Sequence, residues 1–311
     1  MPGLIQVWQW GSPIASERNL AEICDTALAF GFDGLVVKCL DGLDWAASYF
    51  FGEDAPDSVA QVTQQHAYCA GRGLQYYAGV NPLYFDDARL DEEAALVGEL
   101  ANVTDGVVLD LEPFARYWGA NRVEGAATRF LNGVRAVSPA GVLIFQPDPR
   151  PDRLQELRPE EWFAQCDILA GQHYWPDFSS DPTAELTWAK TLGEQWGKPI
   201  WPTLPGNAHP GEFPLDLIAA NPGFLVWRLG STGPAVLSLL GPLVLSGEEP
   251  PVGPEPDPQP LSPAGEATFA DLVNWCGYIK GDVADGLTAE ADRAGGPRPE
   301  QVRAIAELLR S

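Results

Sequence analysis

The sequence is poor in positive charge. It carries 19 lysines and arginines against 43 aspartates and glutamates, so its formal net charge is −24. A surface this acidic repels phosphate groups, which excludes nucleic acids and anionic membrane surfaces as expected partners. A neutral partner, such as a glycan, is compatible with this charge.

Residues that bind metals or form disulfides are also scarce. The chain has three histidines and five cysteines, with no Cys-x-x-Cys pair and no histidine spacing typical of a metal site. We expect neither a metal nor a cofactor. The cysteines are far apart and odd in number, which predicts small buried hydrophobic residues rather than a disulfide framework. They are Cys24, Cys39, Cys69, Cys166 and Cys276.

Long apolar runs are absent too. No stretch reaches the length that spans a membrane, so we expect no membrane insertion. The first residues, Met-Pro-Gly-Leu-Ile-Gln-Val-Trp, contain neither a basic region nor a long apolar run, which predicts no signal peptide of the usual kind. We therefore expect cytoplasmic synthesis. A target outside the cell would require association with a virion or export by a non-Sec route.

Strand-like and helix-like segments alternate along residues 1–245. Eight such units in about 240 residues predict an α/β protein with a (β/α)8 TIM barrel. The predicted strands are 4–10, 34–39, 74–80, 106–111, 142–146, 168–173, 199–203 and 223–227. A doubly wound open sheet is the alternative. It is disfavoured because no Gly-x-Gly-x-x-Gly follows an early strand and because polar residues end nearly every strand.

The alternation stops after the barrel. Residues 246–263 hold seven prolines and four acidic residues with no basic residue, which predicts a semi-extended linker. Residues 264–311 contain two amphipathic helical patterns and are predicted to form a small helical module. This C-terminal module could dock on the barrel, on another copy of the chain or on a partner assembly.

The most informative stretch is residues 105–114, Asp-Gly-Val-Val-Leu-Asp-Leu-Glu-Pro-Phe. Side chains alternate along a strand, so Asp110 and Glu112 point to the same face, with Cα atoms roughly 7 Å apart. Like charge and desolvation both raise the pKa of at least one carboxyl group, which favours a proton donor near neutral pH. The alternative is that each carboxylate is held by an arginine or lysine, or caps a loop.

In a barrel, the carboxyl ends of all strands meet at one face, the mouth, where chemistry takes place. Aromatic rings there can stack on the C–H faces of sugars, while carboxylates and amides bind hydroxyl groups. Asn81 and Gln172 also end predicted strands. The candidate substrate-binding residues are Trp8, Lys38, Asp41, Tyr84, Gln146, Asp148, His173, Trp175, Asp177, Trp201 and Trp227.

Structural roles remain open for several of these residues. Any one tryptophan could merely seal the barrel rim, although Trp227 is the best stacking candidate because Gly230 and Ser231 leave room beside it. Lys38 could simply neutralise the acidic cluster. His173 could be a hydrogen-bonded rim residue rather than a ligand-binding one.

The acidic strand resembles the fourth-strand signature of family 18 glycoside hydrolases, the chitinase-like enzymes, which reads Asp-Gly-x-Asp-x-Asp-x-Glu. Asp105, Gly106, Asp110 and Glu112 match it, and Val108 stands where an aspartate is expected. The resemblance covers roughly residues 1–240 and is weak outside this strand.

That resemblance implies a role for each matching residue. Glu112 would be the general acid, and Asp110 would orient the N-acetyl group of the substrate. Tyr174, within Gln-His-Tyr-Trp-Pro-Asp, has the place of the family's sixth-strand tyrosine. Trp227 has the place of its eighth-strand tryptophan.

The chain also resembles the family 25 lysozymes, whose barrels carry an Asp-x-Glu at the same place. Gly31-Phe-Asp-Gly-Leu-Val-Val-Lys38 is similar to their second strand, whereas Gln6-Val-Trp-Gln-Trp10 stands where they have a first-strand aspartate. A looser likeness is to hydrolase-like barrels of bacteria and bacteriophages.

Two functions follow as hypotheses. The first is hydrolysis of a glycan containing N-acetylglucosamine, such as peptidoglycan or chitin, with Glu112, Asp110 and Tyr174 as catalytic residues. The second is a non-catalytic barrel that binds glycan or serves as a structural module of a larger assembly, such as a phage tail or a cell surface.

Overall fold

The computed structural model describes residues 2–8, 19–50, 54–83, 87–112 and 123–245. The predicted linker 246–263, the predicted helical module 264–311 and the candidate residue Tyr84 lie outside the described residues.

Eight parallel strands among the described residues form one sheet, which confirms the predicted α/β barrel. Pairing runs in chain order from β1 to β6, and β8 pairs with both β1 and β7. Isolated parallel bridges Leu169–Ile200 and Gln172–Thr203 then join β6 to β7 and close the ring. The strands are β1 Gly3–Val7, β2 Gly34–Asp41, β3 Gln75–Asn81, β4 Gly106–Leu111, β5 Leu143–Pro147, β6 Ile168–Leu169, β7 Thr203–Pro205 and β8 Phe224–Trp227.

Helices connect successive strands of the barrel. They are α1 Leu20–Phe30, α2 Val59–Ala70, α3 Asp87–Val103, α4 Ala126–Val137, α5 Pro151–Glu156, α6 Pro159–Phe163, α7 Trp175–Phe178, α8 Pro182–Trp196, α9 Leu215–Ala219 and α10 Pro234–Leu245. A two-residue strand, Asp44–Trp45, pairs antiparallel with the end of β2. No helix in the described part of the chain has both the length and the apolar character needed to cross a membrane.

Residue chemistry fixes the ends of the longer helices. Ser58 caps α2 by accepting a hydrogen bond from the backbone of Gln61. Asp181 caps α8 in the same way through Ala184, and the helix ends at Gly197 in the left-handed conformation. These side chains accept hydrogen bonds from backbone N–H groups that have no partner within the helix. Each helix therefore begins at a defined residue.

The strands separate two buried clusters. One cluster contains only strand residues and residues next to strands, including Leu4, Val36, Val108 and Ile144, and it fills the barrel. The other includes helix residues and lies between the strands and the helices. Because successive side chains of a strand point to opposite faces, Asp110 follows Val108 on the face that looks into the barrel.

Candidate active site

The barrel interior changes from apolar to polar toward the mouth. Two positions beyond the apolar layer, the strands present buried polar side chains, among them Gln6, Lys38, Asp110, Gln146 and Thr203. The two-residue period of a strand produces this layer, since the residue after next returns to the same face.

Amides and hydroxyls form the floor of the mouth. Gln6 Nε2 donates to Gln146 Oε1 at 3.1 Å, and Gln146 Nε2 donates to Thr203 Oγ1 at 2.8 Å. Thr203 Oγ1 donates onward to the Ala170 carbonyl. Gln146 was predicted to bind substrate, but it is fully buried and both ends of its amide are occupied within the floor. Gln146 therefore supports the site from below.

The acid pair is held by amides at the end of β4. Asn81 Nδ2 donates to Asp110 Oδ2 at 2.8 Å. Gln172 Nε2 lies 2.6 Å from Asp110 Oδ1 and 3.3 Å from Glu112 Oε1, which places these two oxygens within about 6 Å of each other. Asp110 is buried and Glu112 is half-buried. Asn81 and Gln172 thus belong to the site. Their positions at predicted strand ends placed them at the mouth, but nothing in the sequence indicated that they hold the acids.

Burial determines the protonation of this pair. It raises the pKa of Glu112 to about 8, and the negative charge of Asp110 adds to the rise. It also raises the pKa of Asp110 to about 6, against the opposing effects of Lys38 and of the Asn81 hydrogen bond. At neutral pH the pair therefore consists of an ionised Asp110 and a protonated Glu112, which is the state a general acid requires.

Lys38 and Asp41 form an ion pair beside the acids. The Lys38 side chain is almost completely buried, and its Nζ lies 4.9 Å from the centre of the Trp8 ring. Burial lowers the pKa of Lys38, while the charges of Asp41 and Asp110 raise it. This arrangement agrees with the charge-neutralising role that the sequence left open.

Three aromatic residues line one side of the mouth. The Trp227 ring lies 5.2 Å from Trp8 and 6.1 Å from Tyr174, measured between ring centres, and all three are half-buried. A Cβ atom at Gly79 would lie 2.6 Å from the Trp8 ring, so the glycine makes room for this tryptophan. Burial, and then the charges of Asp110 and Glu112, raise the pKa of Tyr174, so its hydroxyl keeps its proton.

Two further candidate carboxylates have other neighbours. Asp148 is buried and accepts hydrogen bonds from Arg150 Nε at 2.9 and 3.1 Å, so its charge is neutralised within the protein. Asp177 is exposed, and its nearest side-chain donor is Asn207 at 3.4 Å.

The structure favours the structural roles that the sequence left open for His173 and Trp175, and it contradicts the predicted position of Trp201. His173 is buried, and its Nδ1 contacts Glu185 on α8 at 3.1 Å. Trp175 is buried against Phe213 in the layer between strands and helices. The prediction that Trp201 lies at the mouth is wrong, because β7 begins at Thr203 and Trp201 therefore precedes it.

Trp201 lies at the opposite end of the barrel. Its ring is 6.3 Å from Tyr77 and would collide with a Cβ atom at Gly223, which comes just before β8. The apolar run Pro199–Thr203 suggested a strand two to four residues too early, so a residue at the base of the barrel was assigned to the rim.

Comparisons with known proteins find structural likeness only. No protein-family model matches the chain, and no curated protein sequence matches it. The exo-β-1,4-mannosidase Op5Man5 from Opitutaceae bacterium strain TAV5 is similar with a TM-score of 0.52 and 15% identity, covering 73% of this chain and 52% of that chain. The C-terminal domain of a candidate chitinase from Desulfitobacterium hafniense DCB-2 is similar with a TM-score of 0.50 and 14% identity, covering 78% and 98%.

A chitinase of glycoside hydrolase family 18 from Pseudoalteromonas aurantia has a TM-score of 0.49 and 15% identity, covering 74% of this chain and 95% of that chain. At such low identity, the likeness to the mannosidase and the candidate chitinase shows the fold alone. Together with the closed ring of parallel strands, it defines this chain as a (β/α)8 barrel.

Proposed function

We propose that this chain is a glycoside hydrolase that cleaves a β-linked polysaccharide containing N-acetylglucosamine, of the chitin or peptidoglycan class. The observation that carries the proposal is the acid pair: a half-buried Glu112, whose pKa is raised to about 8, lies beside the ionised Asp110 at the carboxyl end of β4. This end of a (β/α)8 barrel is where active sites are found.

Each member of the site has one task in the proposed reaction. Glu112 donates its proton to the glycosidic oxygen as the bond to the anomeric carbon breaks. The acetamido carbonyl oxygen of the substrate attacks that carbon, while Asp110 and the Tyr174 hydroxyl orient the acetamido group. Glu112, now ionised, then removes a proton from the water that opens the cyclic intermediate. This is the substrate-assisted variant of glycoside hydrolysis, and it needs only one carboxyl group as acid and base.

The remaining candidate carboxylates support the substrate-assisted variant. A two-carboxylate mechanism would recruit Asp41, Asp148 or Asp177 as the partner of Glu112. In the described part of the chain, Asp41 pairs with Lys38, Asp148 pairs with Arg150, and Asp177 is exposed. An ion-paired carboxylate is a poor nucleophile because its charge is already stabilised.

Aromatic rings supply the proposed sugar-binding surface. The Trp227 ring contacts both Trp8 and Tyr174, and we propose that a pyranose ring stacks on it. The net charge of −24 suits a neutral glycan better than an anionic one. Tyr84 stays a predicted substrate-binding residue.

The Glu112→Gln variant tests the proposal. We expect turnover of labelled N-acetylglucosamine oligomers or peptidoglycan to fall by about 10²–10⁴-fold, because the amide cannot donate the proton that the carboxylic acid donates. The matched control is Glu194→Gln, the same change at an exposed position on α8, which should turn over like the wild type. Undiminished turnover by Glu112→Gln would reject the proposal.

Val108 favours a second candidate function, a barrel that binds glycan without cleaving it. Its side chain is fully buried among apolar residues, so the position below Asp110 lacks the carboxylate that family 18 enzymes carry in their signature. Calorimetry with chitin oligomers separates the two functions. Binding without product after prolonged incubation would support the binding module, whereas product formation would support the hydrolase.

A role in a larger assembly belongs to the same second function. We propose that residues 264–311 dock on another copy of the chain or on a partner assembly. Deleting these residues should then collapse a multimeric elution profile to that of the monomer. An elution profile that is monomeric with or without these residues would contradict docking on another copy.

A further inference from the structure

One amide nitrogen contacts both carboxyl groups of the site. Gln172 Nε2 lies 2.6 Å from Asp110 Oδ1 and 3.3 Å from Glu112 Oε1. The Gln172 side chain is buried, with 5% of the residue exposed. A primary amide nitrogen carries two hydrogens, so it can donate one to each carboxyl group at the same time.

The closure of the barrel fixes the position of this amide. The backbone N–H of Gln172 donates to the Pro147 carbonyl at 2.9 Å. Gln172 also forms one of the two bridges that join β6 to β7, through Thr203. Its side chain therefore starts from a backbone held on both sides, which limits the positions that the amide can reach.

The donors are shared unequally between the two acids. Asp110 accepts the short bond from Gln172 and, on its other oxygen, the bond from Asn81 Nδ2 at 2.8 Å. Glu112 accepts only the longer bond from Gln172 among the hydrogen bonds of the described residues. An N–H donor stabilises a carboxylate more than a carboxylic acid, so this arrangement favours the negative charge on Asp110.

We propose that Gln172 is a positioning residue whose amide keeps Asp110 as the anion, leaves the proton on Glu112 and sets the spacing of the two carboxyl groups. The role of Gln172 in catalysis rests on the proposed function. The order in which Asp110 and Glu112 ionise is independent of that function, because it is a property of the protein without substrate.

Other charged or titratable groups act on the same pair. Lys38 and Asp41 come from β2, Asp148 follows β5, and Tyr174 follows β6. The charges of Lys38 and Asp41 act through space on Asp110, and those of Lys38 and Asp148 act on Glu112. The neutral Tyr174 hydroxyl instead responds to the charges of the two acids. Among the described residues, only Gln172 donates a hydrogen bond to both.

Titration of the carboxyl carbons by ¹³C NMR tests the proposal without any turnover. In the wild type, Asp110 should ionise at lower pH than Glu112. Gln172→Met keeps the length of the side chain but lacks the donor. In this variant, both carboxyl groups should ionise at higher pH than in the wild type. The step of Asp110 should move more, by about one pH unit, because it loses the shorter bond. Gln155→Met, the same change at an exposed position of α5, should leave both steps in place.

A second variant, Gln172→Asn, covers the case in which Gln172→Met does not fold. It keeps the amide on a side chain one methylene shorter, which withdraws the nitrogen from both acids. The ionisation of Asp110 should then again move to higher pH by more than that of Glu112, because Asp110 loses the shorter bond. A folded Gln172 variant in which Asp110 and Glu112 ionise at the same pH values as in the wild type would overturn the proposal. If the protein hydrolyses glycans, kcat/KM should fall at alkaline pH with the ionisation of Glu112, and this fall should move with it in the variants. Complete absence of turnover would reject the proposed function. The titration would still decide the role of Gln172, because it needs no substrate.

Discussion

At the scale of single residues, the acid pair links pH to the stability of the fold. The pKa of Glu112 is about 8 in the folded protein, above its ordinary value of 4.5, because burial disfavours the charge. Between these two values the folded state holds a proton that the unfolded state has lost. The contribution of protonated Glu112 to the free energy of unfolding is therefore fully present below about pH 4.5. It is lost as the pH rises from about 4.5 to 8.

Glu112→Gln should thus stabilise the protein in alkaline solution. Glutamine is neutral at every pH, so it avoids burying a charge. One pH unit of displacement corresponds to about 1.4 kcal/mol, so the full displacement of the Glu112 pKa sets an upper limit of about 5 kcal/mol. Because Glu112 is only half-buried, solvent screening lowers this, and we expect a gain of roughly 3 kcal/mol in the free energy of unfolding at pH 8.5. The gain should vanish near pH 4. Urea unfolding at both pH values measures it, and a gain that is the same at both would contradict the raised pKa.

Much of the site follows from the alternation of strand side chains. The spacing of Asp110 and Glu112 predicted a shared face and a raised pKa, and the structure shows both side chains within reach of one amide. The role of Gln172 could not be predicted, since its contact with β4 joins residues 60 and 62 positions apart in the sequence. Such a contact depends on side-chain positions that strand order alone does not give.

At the scale of elements, local signals predicted the long helices better than the short ones. Ser58 and Asp181 are residue types that mark the start of a helix by a capping side chain, and α2 and α8 begin directly after them. The helices α5 and α7 are each too short for apolar periodicity to appear in the sequence. A strand as short as β7 was displaced for the same reason.

Packing between helices gives a prediction at this scale. A Cβ atom at Gly241 of α10 would collide with the Phe30 carbonyl oxygen at the end of α1, so the glycine permits this close approach. Gly241→Ala should therefore lower the free energy of unfolding by about 3 kcal/mol.

Gly71→Ala is the matched control for that variant. A Cβ atom added at Gly71 would have the Ala67 carbonyl oxygen as its nearest neighbour, at 3.4 Å. The φ angle of Gly71 is −62°, which alanine adopts freely. We expect its free energy of unfolding to change by less than about 1 kcal/mol. Equal stability of the two variants in thermal unfolding would show that α10 does not depend on this close approach.

At the scale of the whole molecule, the barrel was predictable because its signal is repeated eight times. An error of a few residues in one unit, as in β7, leaves the number and order of units unchanged. The mouth is harder to predict, since it depends on where each strand ends. This explains why the fold was predicted correctly while Trp201 was assigned to the wrong end of the barrel.

The barrel closes through few backbone pairs. The strands β6 and β7 meet through the isolated bridges Leu169–Ile200 and Gln172–Thr203, whereas β4 pairs along five positions with β5. The amides of Leu169 and Thr203 should therefore exchange with solvent deuterium about ten-fold faster than that of Val107 in β4. Equal protection at these amides would show that the ring opens only on global unfolding.

The most direct test of the account is a crystal structure of Glu112→Gln with an N-acetylglucosamine tetramer. We expect one sugar ring stacked on Trp227, with its acetamido group within hydrogen-bonding distance of Asp110 and the Tyr174 hydroxyl, and with its glycosidic oxygen beside residue 112. A tetramer bound elsewhere, or no sugar at the acid pair under saturating conditions, would contradict the claim that this pair is the site of glycan cleavage.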